Sequence, residues 1–177
     1  QTLLSRKWIE GQTVDGGEVY RLNGNEVDPG MMKEAIAENS DDDISIITSD
    51  REMIAQIPGV REIMLNYIPE GWENGEYKYS RMDGTQFYAE TYYSKQNQKD
   101  IRYRSVSFEN MDSVSNEIQQ DAAGIEKRIN EVNVYFTNNN EVAVATWNID
   151  LSNYTLFAPV SEEEMQKMIE SIKEVNK

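Results

Sequence analysis

The sequence of 177 residues contains no cysteine and no histidine. Without cysteine there is no disulfide framework and no thiolate metal site. Without histidine the usual general base, the usual pH switch and the commonest transition-metal ligand are missing. Basic residues are scarce too: 17 Lys and Arg stand against 32 Asp and Glu, for a formal net charge of -15. Nucleic acid and anionic lipid both demand a basic footprint, so direct recognition of either is not expected. The charge suits plain solubility or exposure to a cation-rich exterior. Apolar runs are only a few residues long, against the roughly 20 that a membrane-spanning helix needs. The chain starts at Gln1 rather than Met. An outer domain cut from a membrane anchor would start this way, and so would a tagged fragment.

What is present is strand-forming. The hydrophobic fraction is 38%, with ten Tyr, four Phe and three Trp. Tyr-rich and Thr-rich alternation suits half-exposed strands rather than a deep parallel sheet. The C-terminal third is the most regular stretch. Val132, Val134 and Phe136 alternate with polar residues, Asn138-Asn139-Asn140 supplies a turn, and Val142, Val144 and Thr146 resume the alternation. Asp150 to Asn153 makes a second turn, and Tyr154 to Phe157 a third strand. Ser161 then caps a helix with Glu164 three residues on, and Met165, Met168, Ile169, Ile172 and Val175 form its apolar stripe.

Earlier in the chain the signals are mixed. Leu3, Leu4, Trp8 and Ile9 allow a helical turn or an edge strand. Val19 to Asp28 reads as a small hairpin around Asn23-Gly24, and Asp28-Pro29 as the start of a helix reaching Asn39. Ser40 to Asp43 is an acidic loop without the spacing of a calcium-binding loop. Ile44 to Thr48 reads as a strand, and Ser49 with Glu52 as a capping box for a short helix ended by Pro58-Gly59. A strand is expected from Ile63 into Pro69. The pairs Tyr77/Tyr79 and Gln86–Tyr93 flank an Asp83-Gly84 hairpin turn, and Ile101 to Phe108 is a further strand. Met111, Val114, Ile118 and Ala122 have helical spacing, while Gly124 to Glu131 is compatible with a helical turn. These elements predict an α+β fold: a curved antiparallel meander sheet of about seven strands, packed on helices and closed by the C-terminal helix. Residues 1–60 are expected to form an N-terminal α/β extension, packed on or preceding a main domain of residues 61–177.

Tyr67-Ile-Pro-Glu-Gly-Trp72 resembles the opening motif of a domain family found on the outer side of membrane-anchored, anti-sigma-factor-like and other exported proteins of Gram-positive bacteria. Trp147, the strand Tyr154-Thr-Leu156 and Ser161-Glu-Glu-Glu164 resemble that family's close, although Ala158-Pro159 stands where it often has a glycine. The resemblance implies a fold similar to lipoprotein-sorting proteins, an extracytoplasmic location and membrane attachment only through an anchor outside this chain. It brings no catalytic residues.

The chemistry is sparse. Ser5 and Ser94 lie near Lys7 and Lys95 without a wider nucleophile motif, and no phosphate-cradling glycine loop occurs. Paired carboxylates for glycoside hydrolysis are expected by chance among so many acids. The expectation is therefore a non-catalytic domain with no cofactor and no metal. It would serve as a sensory or interaction module for a protein, lipid or glycan. The alternative is a carrier of an apolar ligand or glycan on the concave face, where Tyr77, Tyr79, Tyr88, Tyr92 and Tyr103 offer an aromatic platform. Core packing competes for the same rings.

Overall fold

The computed structural model describes residues 6–14, 17–23, 25–28, 43–82, 85–93, 96–108, 124–139 and 141–176. The helix expected up to Asn39, most of the acidic loop and the helix expected around Met111 to Ala122 lie outside the described residues. Eleven strands form one sheet. They are β1 (Arg6–Val14), β2 (Gly17–Leu22), β3 (Asn25–Val27), β4 (Asp43–Thr48), β5 (Glu73–Met82), β6 (Thr85–Tyr93), β7 (Ile101–Ser107), β8 (Ile125–Ile129), β9 (Val132–Asn139), β10 (Val142–Ile149) and β11 (Ser152–Ala158). The helices are α1 (Arg51–Ala55), α2 (Val60–Ile63) and α3 (Glu162–Glu170), followed by a 3₁₀ turn, Lys173–Asn176.

The α+β class and the largely antiparallel, open, curved sheet are as the alternation predicts. The strand order is β3-β2-β1-β4-β5-β6-β7-β11-β10-β9-β8. The path departs from a simple meander. β5 to β7 run in sequence, but the chain then passes to the far edge and returns through β8, β9 and β10, so that β11 closes against β7. Local turns fix each hairpin, and Asn130 and Asp150 adopt the positive φ that tight hairpin turns require, at 55° and 52°. No local signal fixes where two finished hairpins dock.

The N-terminal strands extend the same sheet. β4 pairs antiparallel with β5, with Ile46 opposite Tyr79. β1 is neither helix nor edge; it lies between β2 and β4 and runs parallel to β4. A parallel pair needs a crossover of a dozen residues or more, and the chain between Val27 and Asp43 provides that length. Gly11 of β1 sits so close to β4 that an added Cβ would lie 2.7 Å from Thr48 Oγ1.

Successive side chains of a strand point to opposite faces, and the sheet uses this throughout. One face carries, strand by strand, Ile46, Tyr79, Tyr88, Ser105, Tyr154, Trp147 and Val134 in one row. All are buried. The helices cover this face. Met165, Met168, Ile169, Ile172 and Val175 are at most 1% exposed. The Ser161 hydroxyl accepts the Glu164 amide at 3.2 Å, giving α3 the predicted cap.

Three local expectations shift. The cap of α1 is Asp50 rather than Ser49: its Oδ1 accepts the Glu52 amide at 3.0 Å, while its own amide donates to Thr48 Oγ1 at 2.9 Å. The strand expected up to Pro69 does not form. Asn66 donates from its amide to Ser171 Oγ and from its side chain to the Ser171 carbonyl, both at 2.9 Å, so the segment ties to the end of α3 instead of to a neighbouring strand. Gly124 to Glu131 resolves as β8 and its turn rather than a helical turn, because Ile129 and Val132 pair across that turn.

Candidate functional site

The covered face contains one ionisable outlier. A second row across it reads Thr48, Tyr77, Glu90, Tyr103, Leu156, Ala145 and Phe136. Glu90 is at its centre and is 0% exposed. Its Oε2 accepts the Tyr88 hydroxyl at 2.8 Å, and its Oε1 accepts Arg51 Nη1 from α1 at 3.3 Å. Burial pushes its carboxyl up to about 7, against the opposing pull of the Tyr88 hydroxyl, the Arg51 cation, the Tyr77 hydroxyl and the Leu65 amide. Tyr77 is pushed up to about 12, first by burial and then by the Glu90 charge. Tyr88 and Tyr103 are raised, mainly by burial.

The rings around Glu90 are packed against one another. Tyr88 meets Tyr103 edge-on at 6.2 Å and 74°. Tyr103 stacks on Trp147 at 6.2 Å, and Trp147 on Tyr154 at 5.5 Å and 7°. The Tyr103 hydroxyl donates to the Ile63 carbonyl of α2. Arg51 Nη2 also donates to Asn66 Oδ1 at 3.0 Å. One network thus joins α1, α2, the segment after it and three central strands.

This placement corrects the expected platform. Tyr77, Tyr79, Tyr88 and Tyr103 are 1–3% exposed. They form the packed interior under the helices, because they share the strand face that also carries Ile46, Ile101 and Leu156. Tyr92 pairs with Asn74 and Ile101 in the sheet, and its side chain lies outside the described residues. On this side a cleft of about 220 Å³ lies between α2, the 3₁₀ turn and the strand ends, lined among others by Tyr79, Gln86, Ser107, Ser152, Tyr154 and Glu174. The lining mixes hydroxyls, an amide and a carboxylate with rings.

The opposite face is open along its central strands. Lys78, Ala89, Arg104 and Thr155 form one row, and Thr91, Arg102, Phe157 and Val144 the next. Lys78 and Arg102 are exposed and Arg104 is half-buried. Together with Phe87 and Phe157 they line a trough of about 380 Å³. The Arg102 guanidinium lies 5.5 Å over the Phe157 ring. Among the described residues no group of three or more acids gathers at metal-binding spacing.

Sequence reasoning passed over both Glu90 and this trough. Glu90 had a signal: it sits at the position of strand β6 that shares a face with Tyr88. The trough had none, since Lys78, Arg102 and Arg104 come together only through the pairing of β5, β6 and β7.

Comparison with known proteins gives one match. No curated protein and no solved structure matches the chain. Residues 62–172 match a family described as a domain of unknown function, DUF4367. That span runs from the segment tied to Ser171 through the central and C-terminal strands to the end of the covering helix, and it includes Glu90, the ring stack and the trough. On that match, which covers more than half of the chain, the protein belongs to the DUF4367 family.

Proposed function

We propose that this chain is a non-catalytic sensory or interaction domain. In this reading it acts outside the cell membrane as part of a membrane-anchored, anti-sigma-factor-like or exported protein. The observation that carries the interaction reading is the asymmetry of the sheet. One face is consumed by the core, with the buried carboxylate of Glu90 engaged by Arg51 and Tyr88. The other presents cations and aromatic rings at its centre. A central sheet face left open in this way is a surface for another molecule. The extracytoplasmic setting draws its support from the motif resemblance of Tyr67 to Trp72 and Tyr154 to Glu164.

The alternative, carriage of an apolar ligand or glycan against the covered face, has weaker support. The cleft of about 220 Å³ is smaller than the roughly 300–1,000 Å³ of ordinary ligand sites, and its lining is half polar. A hydrolase with two carboxylates would need a second acid beside Glu90, whereas Arg51, Tyr77, Tyr88 and the Leu65 amide face it.

The test of location is protease treatment of intact cells that make the natural protein, followed by blotting for this domain. Loss of the domain while a cytoplasmic marker survives is expected. Protection until the cells are lysed overturns the extracytoplasmic setting.

A further inference from the structure

We infer that the open trough on β5, β6, β7 and β11 docks a short, extended acidic segment of a protein partner. This rests on the interaction reading above and names the chemistry of what is recognised.

Three observations converge. First, among the described residues no ion pair engages the cations of the trough. Acids outnumber bases 32 to 17 in this chain. Among the described residues the ion pairs involve Arg51, Arg61, Lys127, Arg128 and Lys167, and none involves Lys78, Arg102 or Arg104. The Nε of Arg104 is buried without a hydrogen-bond partner. Asp100 at the rim is the one carboxylate among the lining residues.

Second, the spacing is that of a polymer. Arg102 and Arg104 are two residues apart on one strand, about 7 Å. Lys78 pairs with Ala89, which pairs with Arg104, so Lys78 and Arg104 stand two strands apart, roughly 10 Å. Alternate side chains of an extended peptide repeat at about 7 Å, which matches the arginine pair. Each guanidinium presents a fork suited to a carboxylate.

Third, the lining comes from β5, β6, β7, β11 and the residue just before β7, and no described helix contributes to it. A trough floored by strands is open along its length, unlike the closed cavities that bury most of a small molecule. It can take a segment laid across it, with Phe87 and Phe157 meeting the apolar parts. The net charge of -15 repels long, uniformly anionic polymers. A segment with two or three acids is governed by the cations within about one screening length, roughly 8 Å at physiological salt.

The test uses three fluorescein-labelled six-residue peptides, alternating Glu with Thr, Gln with Thr and Lys with Thr, titrated against the whole chain by fluorescence anisotropy. The Glu peptide is expected to bind at least tenfold more tightly than the Gln peptide, and the Lys peptide not to bind at the trough. Lys78→Gln and Arg102→Gln, both at exposed positions, are each expected to weaken the Glu peptide at least threefold with an unchanged urea midpoint. Equal binding of Glu and Gln peptides overturns the proposal, as does full binding by the double variant. Displacement by tripolyphosphate at equal charge concentration also overturns it, because the trough would then accept any polyanion. These outcomes are independent of the protease result: a domain exposed outside the cell that ignores the Glu peptide loses the acidic partner and keeps its location.

Discussion

The two faces of the central strands are built from alternate residues of the same strands, yet they differ in burial and in charge. On β7, Tyr103 and Ser105 point into a closed interior, while their neighbours Arg102 and Arg104 point to the open side. The covered face holds rings stacked at 5.5–6.2 Å and a carboxyl raised by burial. The open face holds Lys78, Arg102 and Arg104 beside two phenylalanine rings. The difference teaches that stability and recognition are assigned to opposite sides of one sheet, so a single strand can lose either without losing the other.

The sharpest way to break that division is to remove the centre of the ring stack. Trp147 is 1% exposed and lies between Tyr103 and Tyr154. Trp147→Ala is expected to destabilise the fold by about 3–5 kcal/mol, the range for a large aromatic truncated in a core. Phe157→Ala, on the other side of the adjacent strand and half-buried, is expected to lose less than half as much. Urea unfolding followed by Trp fluorescence and circular dichroism measures both. Equal losses would mean that the open face is also core.

The second test is pH. The groups that face Glu90 are Arg51 from α1, Tyr77 from β5, Tyr88 from β6, Tyr103 from β7 and the Leu65 amide. The tyrosines are raised above their usual value and stay neutral between pH 5.5 and 8, while the carboxyl of Glu90 falls inside that window. Its carboxyl is raised from 4.5 to about 7 by folding. A group raised by folding contributes stability that is complete below its unfolded value and is lost as pH climbs through its folded value. Stability is therefore expected to fall by about 2 kcal/mol from pH 5.5 to pH 8. In Glu90→Gln that slope is expected to flatten. A midpoint that rises with pH over this window would mean that the Arg51 cation outweighs burial.

Much of this was legible in the residues. The last three strands and α3 are specified locally, by alternation around tight turns and by Ser161 with Glu164, and those signals survive in any context. The docking of β11 against β7 and the parallel pairing of β1 with β4 were not legible. Both depend on long-range placement of finished units, which no window of ten residues encodes. The fate of Tyr77, Tyr79, Tyr88 and Tyr103 was ambiguous for a related reason. Alternation shows that they share a face but not which face the helices cover. Glu90 carried the missing hint, since an acid among rings on a strand is either exposed or held by a partner, and the partner, Arg51, lies 39 residues away in sequence.

A milder disturbance of the covered side is loosening its lid. Ser161 satisfies the Glu164 amide at the start of α3, and Glu162, Glu163 and Glu164 lie in the first turn, where the helix dipole favours them. Ser161→Ala is expected to cost about 1 kcal/mol in urea midpoint analysis. Ser161→Asp, which restores an acceptor, should recover most of it. If Ser161→Ala cost several kcal/mol instead, the cap would be coupled to the core beneath α3 rather than acting on the helix end alone.

The smallest effect is expected on the open face, and its smallness is what gives it value. Arg102 is exposed, and its one described contact is with the Phe157 ring at 5.5 Å. A cation over a ring at an exposed site contributes about 0.5–1 kcal/mol at most. Its removal also relieves repulsion from Arg104 on the same strand face. Arg102→Ala is therefore expected to change stability by no more than about 0.5 kcal/mol in either direction, the range for surface substitutions. The same substitution should abolish most of the preference for the Glu peptide. A residue silent in unfolding and costly in binding lies on a recognition surface, whereas one that weakens both equally belongs to the structure. Arg102 thus separates the two faces by measurement, with Trp147 marking the opposite extreme.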